Sequence, residues 1–162
     1  MGFLPIIIAL LAFVLLLVLV NYNSIQARQQ SLGMALFTVC QSAKSRNALL
    51  KRLRGIQSNP LCPQLPEHYN FNAAQRDEIV KFIASEWVSL SESDFYLKNT
   101  SPTPATARYA TALHVLNHRQ RINLRTFERK VREYNQLLEG YPTTMVAGLY
   151  RIKPIRLATV RK

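Results

Sequence analysis

The pattern of apolar and polar positions changes character once along this chain, and that change sets the architecture. From Phe3 to Val20 every residue is apolar. A helix of about 20 such residues covers the roughly 30 Å of hydrocarbon in a bilayer, whereas the helix of a water-soluble core keeps a polar face. Beyond Asn21 the apolar residues thin to a stripe: Ile25, Leu32, Leu36, Val39, Ala43, Leu50, Leu53 and Ile56. Their spacings of three, four and seven put them on one side of a helix. No Gly-Pro break separates the two stretches, so the pattern predicts one continuous helix, the first part in a bilayer and the second in water. Arg28, Lys44, Arg46, Lys51, Arg52 and Arg54 fall between the stripe positions and are assigned to solvated faces.

Pro60, Pro63 and Pro66 end that helix, because each proline pushes its predecessor out of the α region. Asn72 and Gln75 have capping-box spacing and open a second helix. Its expected buried side is Ile79, Phe82, Ile83, Val88 and Leu90, with Trp87 beside them. After Asn99–Pro104, the positions Tyr109, Leu113, Leu116, Leu124, Phe127, Val131, Tyr134 and Leu138 alternate by three and four, with a phase slip near Gln120. Such a slip reads as a stutter in coiled-coil-like packing. Gly140 stands at the C′ position and Pro142 stops the helix. Thr143 is positioned to cap a short last helix. The expectation is an all-α chain, an N-terminal transmembrane helix continuing into a long-helix antiparallel bundle. Residues 1–21 form the anchor, 22–152 the bundle (helices about 22–57, 73–97, 105–139 and 143–150), and 153–162 a basic tail.

A cleaved signal peptide needs a basic leading region and a small-x-small cleavage site. The first Lys or Arg is Arg28 and the run ends VLVNYN, so the segment reads as a retained single-pass anchor. The net charge of +12 lies entirely after it. Basic flanks favour the cytoplasmic side, which predicts the amino terminus outside and the body in the cytoplasm. Tyr22 falls where aromatic rings sit at headgroup level.

Such a charge suits anionic headgroups, nucleic acid or an acidic protein. Lys51, Arg52 and Arg54 are candidate contacts for anionic lipid, although cations in a last helical turn also suit the helix dipole. Arg119, Arg121, Arg125, Arg129, Lys130 and Arg132 spread around one helix without a reader motif, which makes nucleic-acid tethering the weaker reading. His114 and His118 stand at i, i+4, a zinc-binding spacing, but no glutamate lies between them as general base and no third ligand adjoins. Solvated surface histidines are the commoner outcome of that spacing. Glu86, Glu92, Glu128, Glu133 and Glu139 read as solvated helix faces, with Glu128–Arg132 an ordinary i, i+4 pair. There is no glycine-rich phosphate loop or nucleophile elbow. The sequence therefore predicts neither catalysis nor a cofactor. Cys40 and Cys62 stay thiols in a reducing compartment and are able to pair only in an oxidising one.

Two segments carry a resemblance. The run Val131-Arg-Glu-Tyr134-Asn135, five residues, Tyr141-Pro142, then a short apolar helix with Ala147 and Tyr150, is similar to the closing signature of the LemA family. Tyr22-Asn23-x-Ile25-x-x-Arg28, following an apolar segment, resembles that family's opening. The similarity spans the anchor, most of the first helix and the chain after about His118. It implies a single-pass protein of the bacterial inner membrane, built as a helical bundle without a known catalytic site; the retained anchor and the long helices without a catalytic constellation add the expectation of a protein partner or a second copy of the chain. Tyr134 and Tyr141 would then pack on the first helix, and Asn135 with Pro142 would fix the fold-back of the last one.

Overall fold

The structure is a computed structural model and describes residues 3–54, 73–99 and 107–157. Four helices occupy these residues: α1 (Leu4–Arg54), α2 (Ala73–Asn99), α3 (Ala107–Glu139) and α4 (Thr143–Leu149). Asn72, the three prolines before it and Cys62 lie outside the described residues, as do the side chains of Leu53 and Arg54.

Helix α1 runs without interruption through the change of pattern at Asn21. At about 1.5 Å per residue its 51 residues make a rod of roughly 75 Å. The apolar part stands clear of the rest of the molecule: Phe3, Leu10 and Leu16 are 80%, 65% and 62% exposed. Burial begins in earnest at Ile25.

From there the packing is coiled-coil-like. The buried seam of α1 is Ile25, Gln29, Leu32, Leu36, Val39, Ala43, Arg46 and Leu50. That of α3 is Leu113, Asn117, Gln120, Leu124, Phe127, Val131, Tyr134 and Leu138. Both seams step by alternating fours and threes with no irregularity, the 3.5-residue period of knobs-into-holes packing. The stutter expected near Gln120 is therefore absent. Asn117 and Gln120 fill the seam positions that the apolar pattern skips, as Gln29 and Arg46 do on α1.

Helix direction follows from the side-chain pairs. Arg28 meets Glu133 and Ser42 meets Gln120, so α3 is antiparallel to α1. Trp87 meets Glu128 and Asn117 meets Ser93, so α2 is antiparallel to α3 and runs the same way as α1. On α2, Ile79, Phe82, Ile83 and Leu90 are buried as expected. Val88, assigned to the buried side, is 56% exposed; Glu86 takes the inward position instead. On α3, Tyr109 is 41% exposed where the apolar pattern placed it inside.

Residues 153–157, assigned by sequence to a basic tail beyond the bundle, also pack on it. Ile155 is buried in the core, with Ile152 and Leu157 packed against it. The side chain of Asn135 clamps the backbone there: its Nδ2 donates to the Ile155 carbonyl (2.8 Å) and its Oδ1 accepts the Ile155 N–H (3.0 Å). Arg76 of α2 donates to the carbonyl of Lys153 at 3.0 Å.

Candidate functional site: a buried polar layer and the end of the bundle beside the apolar segment

The seam polar residues meet in one layer. The Arg46 side chain is fully buried, and its Nη2 donates to Glu86 Oε2 (3.1 Å) and to Ser89 Oγ (2.8 Å). Gln120 Nε2 donates to the same carboxylate oxygen (2.9 Å) and to the carbonyl of Val39 (3.2 Å). Its Oε1 accepts from Ser42, which in turn accepts from Asn123 at 3.1 Å. One helical turn further from the apolar segment, Asn117 donates to Ser93 and Asp94 at 2.9 Å, and Asp94 pairs with Arg121. Burial lowers the pKa of the Arg46 guanidinium and the Glu86 carboxylate opposes that shift. Arg46 Nε and Nη1 nevertheless have no hydrogen-bond partner among the described residues.

Charge alone assigns Arg46 and Glu86 to solvated faces in the sequence. Their position in the heptad was the signal to the contrary. A charge survives in an interior only when paired and hydrogen-bonded, and here three helices supply the partners. Glu86 Oε2 accepts from both Arg46 of α1 and Gln120 of α3, so the layer ties α1, α2 and α3 together in one register.

The residues that carry the sequence resemblance gather at the other end of the bundle. Tyr134 is buried, and its hydroxyl accepts from Gln29 Nε2 at 3.2 Å. Arg28 pairs with Glu133 at 3.0 Å in partly exposed surroundings. Tyr22 and Tyr150 place their ring centroids 4.7 Å apart, tilted by 40°. Thr143, expected as a cap, makes no side-chain cap bond; its hydroxyl donates to Asn21 Oδ1 at 2.9 Å and moors α4 to α1. Ala147 is buried and Pro142 half-buried, while Asn23 faces solvent. Tyr141 does not pack on α1: it is 85% exposed. Asn135 fixes the segment after α4 and not α4 itself.

The remaining candidates do not converge. His114 and His118 both lie on the exposed side of α3, and among the described residues no three His, Cys, Asp or Glu side chains form a metal-sized group. Glu128, expected to pair with Arg132, accepts the indole N–H of Trp87 at 2.9 Å. Cys40 is buried at the α1 seam. Lys51 and Arg52 are exposed at the end of α1 remote from the apolar segment. Lying 31 or more positions beyond Val20 on one helix, they stand about 45 Å from that segment's end. This is several Debye lengths at physiological salt, so a bilayer around that segment would lie beyond their electrostatic reach.

Among the described residues these features define an all-helical protein with one helix long and apolar enough to cross a membrane and a bundle built directly on its continuation. No family model, curated protein or solved structure matches the chain.

Proposed function

We propose that the protein is a single-pass, membrane-anchored helical scaffold of the LemA type, a component of a membrane protein assembly without a catalytic site. One observation carries the reading. Helix α1 is unbroken from Leu4 to Arg54, naked and apolar over its first part and wrapped by α3 and α4 over its second. An exposed apolar surface of that length needs hydrocarbon around it, and an unbroken helix transmits the anchor's position rigidly to the bundle. The bundle offers a place for a partner: a groove of about 250 Å³ between α1 and α3, lined by Met34, Ala35, Thr38, Asn123 and Thr126. Met34 is 63% exposed there. The charge distribution favours a cytoplasmic body, and an inner-membrane location is what the resemblance implies.

Crosslinking in native membranes from a photoreactive residue at Met34 tests the scaffold role. A discrete crosslinked partner, or a crosslinked dimer of the chain, is the expected result; a monomer that captures neither would end it. Carbonate extraction of the full chain tests the anchor, and protease protection of sealed vesicles tests the side on which the body lies.

A further inference from the structure

We propose that α4 and its flanks form a foot that lies in the lipid headgroup region beside the anchor, inserting Met145 and Leu149 into the bilayer surface and setting Arg151 and Lys153 against anionic headgroups. The proposal rests on the reading that the apolar part of α1 spans a bilayer. Its evidence is separate and begins with height. The first residue of α4 bonds to Asn21, and the ring of Tyr150 just after its end packs against that of Tyr22. Both ends of the helix therefore meet α1 at successive positions, which lays α4 across α1 and along the membrane plane. Val18, in the last turn of the apolar run, packs against the core as well. Helix α4 thus sits where hydrocarbon gives way to headgroups.

Its two faces differ accordingly. Thr143, Val146 and Ala147 are buried against the bundle. Met145 and Leu149, one turn apart on the opposite side, are 68% and 71% exposed, and Tyr141 at the preceding turn is 85% exposed. In water this cluster would be an unfavourable apolar surface on a helix of only seven residues. At the boundary it matches the chemistry of an interfacial helix: aliphatic side chains sunk a few ångströms, tyrosines at headgroup level, cations beside the phosphates. Arg151 and Lys153 follow directly and are exposed. A second copy or a protein partner would be an alternative cover for the same face, but the continuity with the span and the adjoining positive charge favour lipid.

The test uses the full chain in vesicles of phosphatidylcholine and phosphatidylglycerol, with single tryptophans in a Trp87→Phe background. Leu10→Trp reports on the span, Leu149→Trp on the foot, and Val115→Trp on a remote exposed site of α3. Lipids brominated on shallow acyl carbons should quench Leu149→Trp to about half the extent of Leu10→Trp or more, and leave Val115→Trp untouched. Met145→Trp gives an independent reading from the adjacent turn, should Leu149→Trp disturb the fold. The proposal is overturned if both foot reporters behave like Val115→Trp. It is overturned equally if they escape bromine and aqueous acrylamide together, which would show a protein covering the face. Quenching of Leu10→Trp in either case leaves the anchor standing; its absence would remove the anchor and the foot together.

Discussion

The guanidinium of Arg46 sits 3.1 Å from the carboxylate of Glu86, with the two side chains 0% and 5% exposed. This pair occupies the middle of three packed helices, and Gln120 of the third donates to the same oxygen. Buried ion pairs seldom raise net stability, because desolvation offsets most of the attraction. What they do is penalise every arrangement that leaves a charge unpaired. A one-residue slip of α1 against α2 or α3 would strand Arg46 or Glu86 in an apolar seam. The pair therefore acts on register, holding α1, α2 and α3 in one alignment.

Glu86→Ala is expected to destabilise the protein by about 3–5 kcal/mol, since it strands a buried cation. The double variant Arg46→Met/Glu86→Leu removes both charges and is expected to lose much less, or even to gain. Chemical denaturation of the full chain in micelles, followed by helical circular dichroism, separates the two. Equal losses in the single and double variants would show that the charge pairing is not what the site requires.

Tyr134 links stability to alkaline pH. Burial raises its pKa above the ordinary 10.0, a shift that the Gln29 hydrogen bond and Arg76 only reduce. A raised folded-state pKa means that the folded protein holds this proton more tightly than the unfolded chain. Its stabilising effect is complete below pH 10 and declines as pH rises from there through the folded pKa. Tyr134→Phe should cost about 1 kcal/mol at neutral pH through the lost hydrogen bond. It should also flatten the fall in melting temperature above pH 10. An unchanged alkaline slope would count against this assignment.

Asn135→Ala removes both bonds to the backbone of Ile155. Hydrogen exchange at the Ile155 amide should accelerate by at least about tenfold, because two bonds of roughly 1 kcal/mol each no longer hold the segment closed. The amides of α3 around Phe127 should keep their protection. If Ile155 exchanges at the wild-type rate, apolar packing alone holds the segment.

Leu124 and Ile122 look alike in sequence and are opposites in the fold: the first is 0% and the second 51% exposed. Leu124→Ala should destabilise by about 2–5 kcal/mol through the cavity it leaves. Ile122→Ala should change stability by no more than about 0.5 kcal/mol. Comparable effects at the two positions would mean that α3 is rotated from the orientation described.

Local pattern alone determined the apolar segment, the run of α1 through it, and the span of α3. Eighteen consecutive apolar residues and a three-four repeat are properties of neighbours along the chain. It also determined most of the seams, since Ile25, Leu36, Leu124 and Val131 declare their side by spacing. The heptad repeat marks the positions of Gln29, Arg46, Asn117 and Gln120 as seam positions, but only the tertiary structure supplied the partners that let polar side chains occupy them. A polar side chain is excluded from an interior until a partner is in place, and the partner of Arg46 is 40 residues away on another helix. The same dependence put Tyr141 outside and Ile155 inside. It also made α2 run with α1, because contacts between distant segments have no trace in the order of residues that each contains.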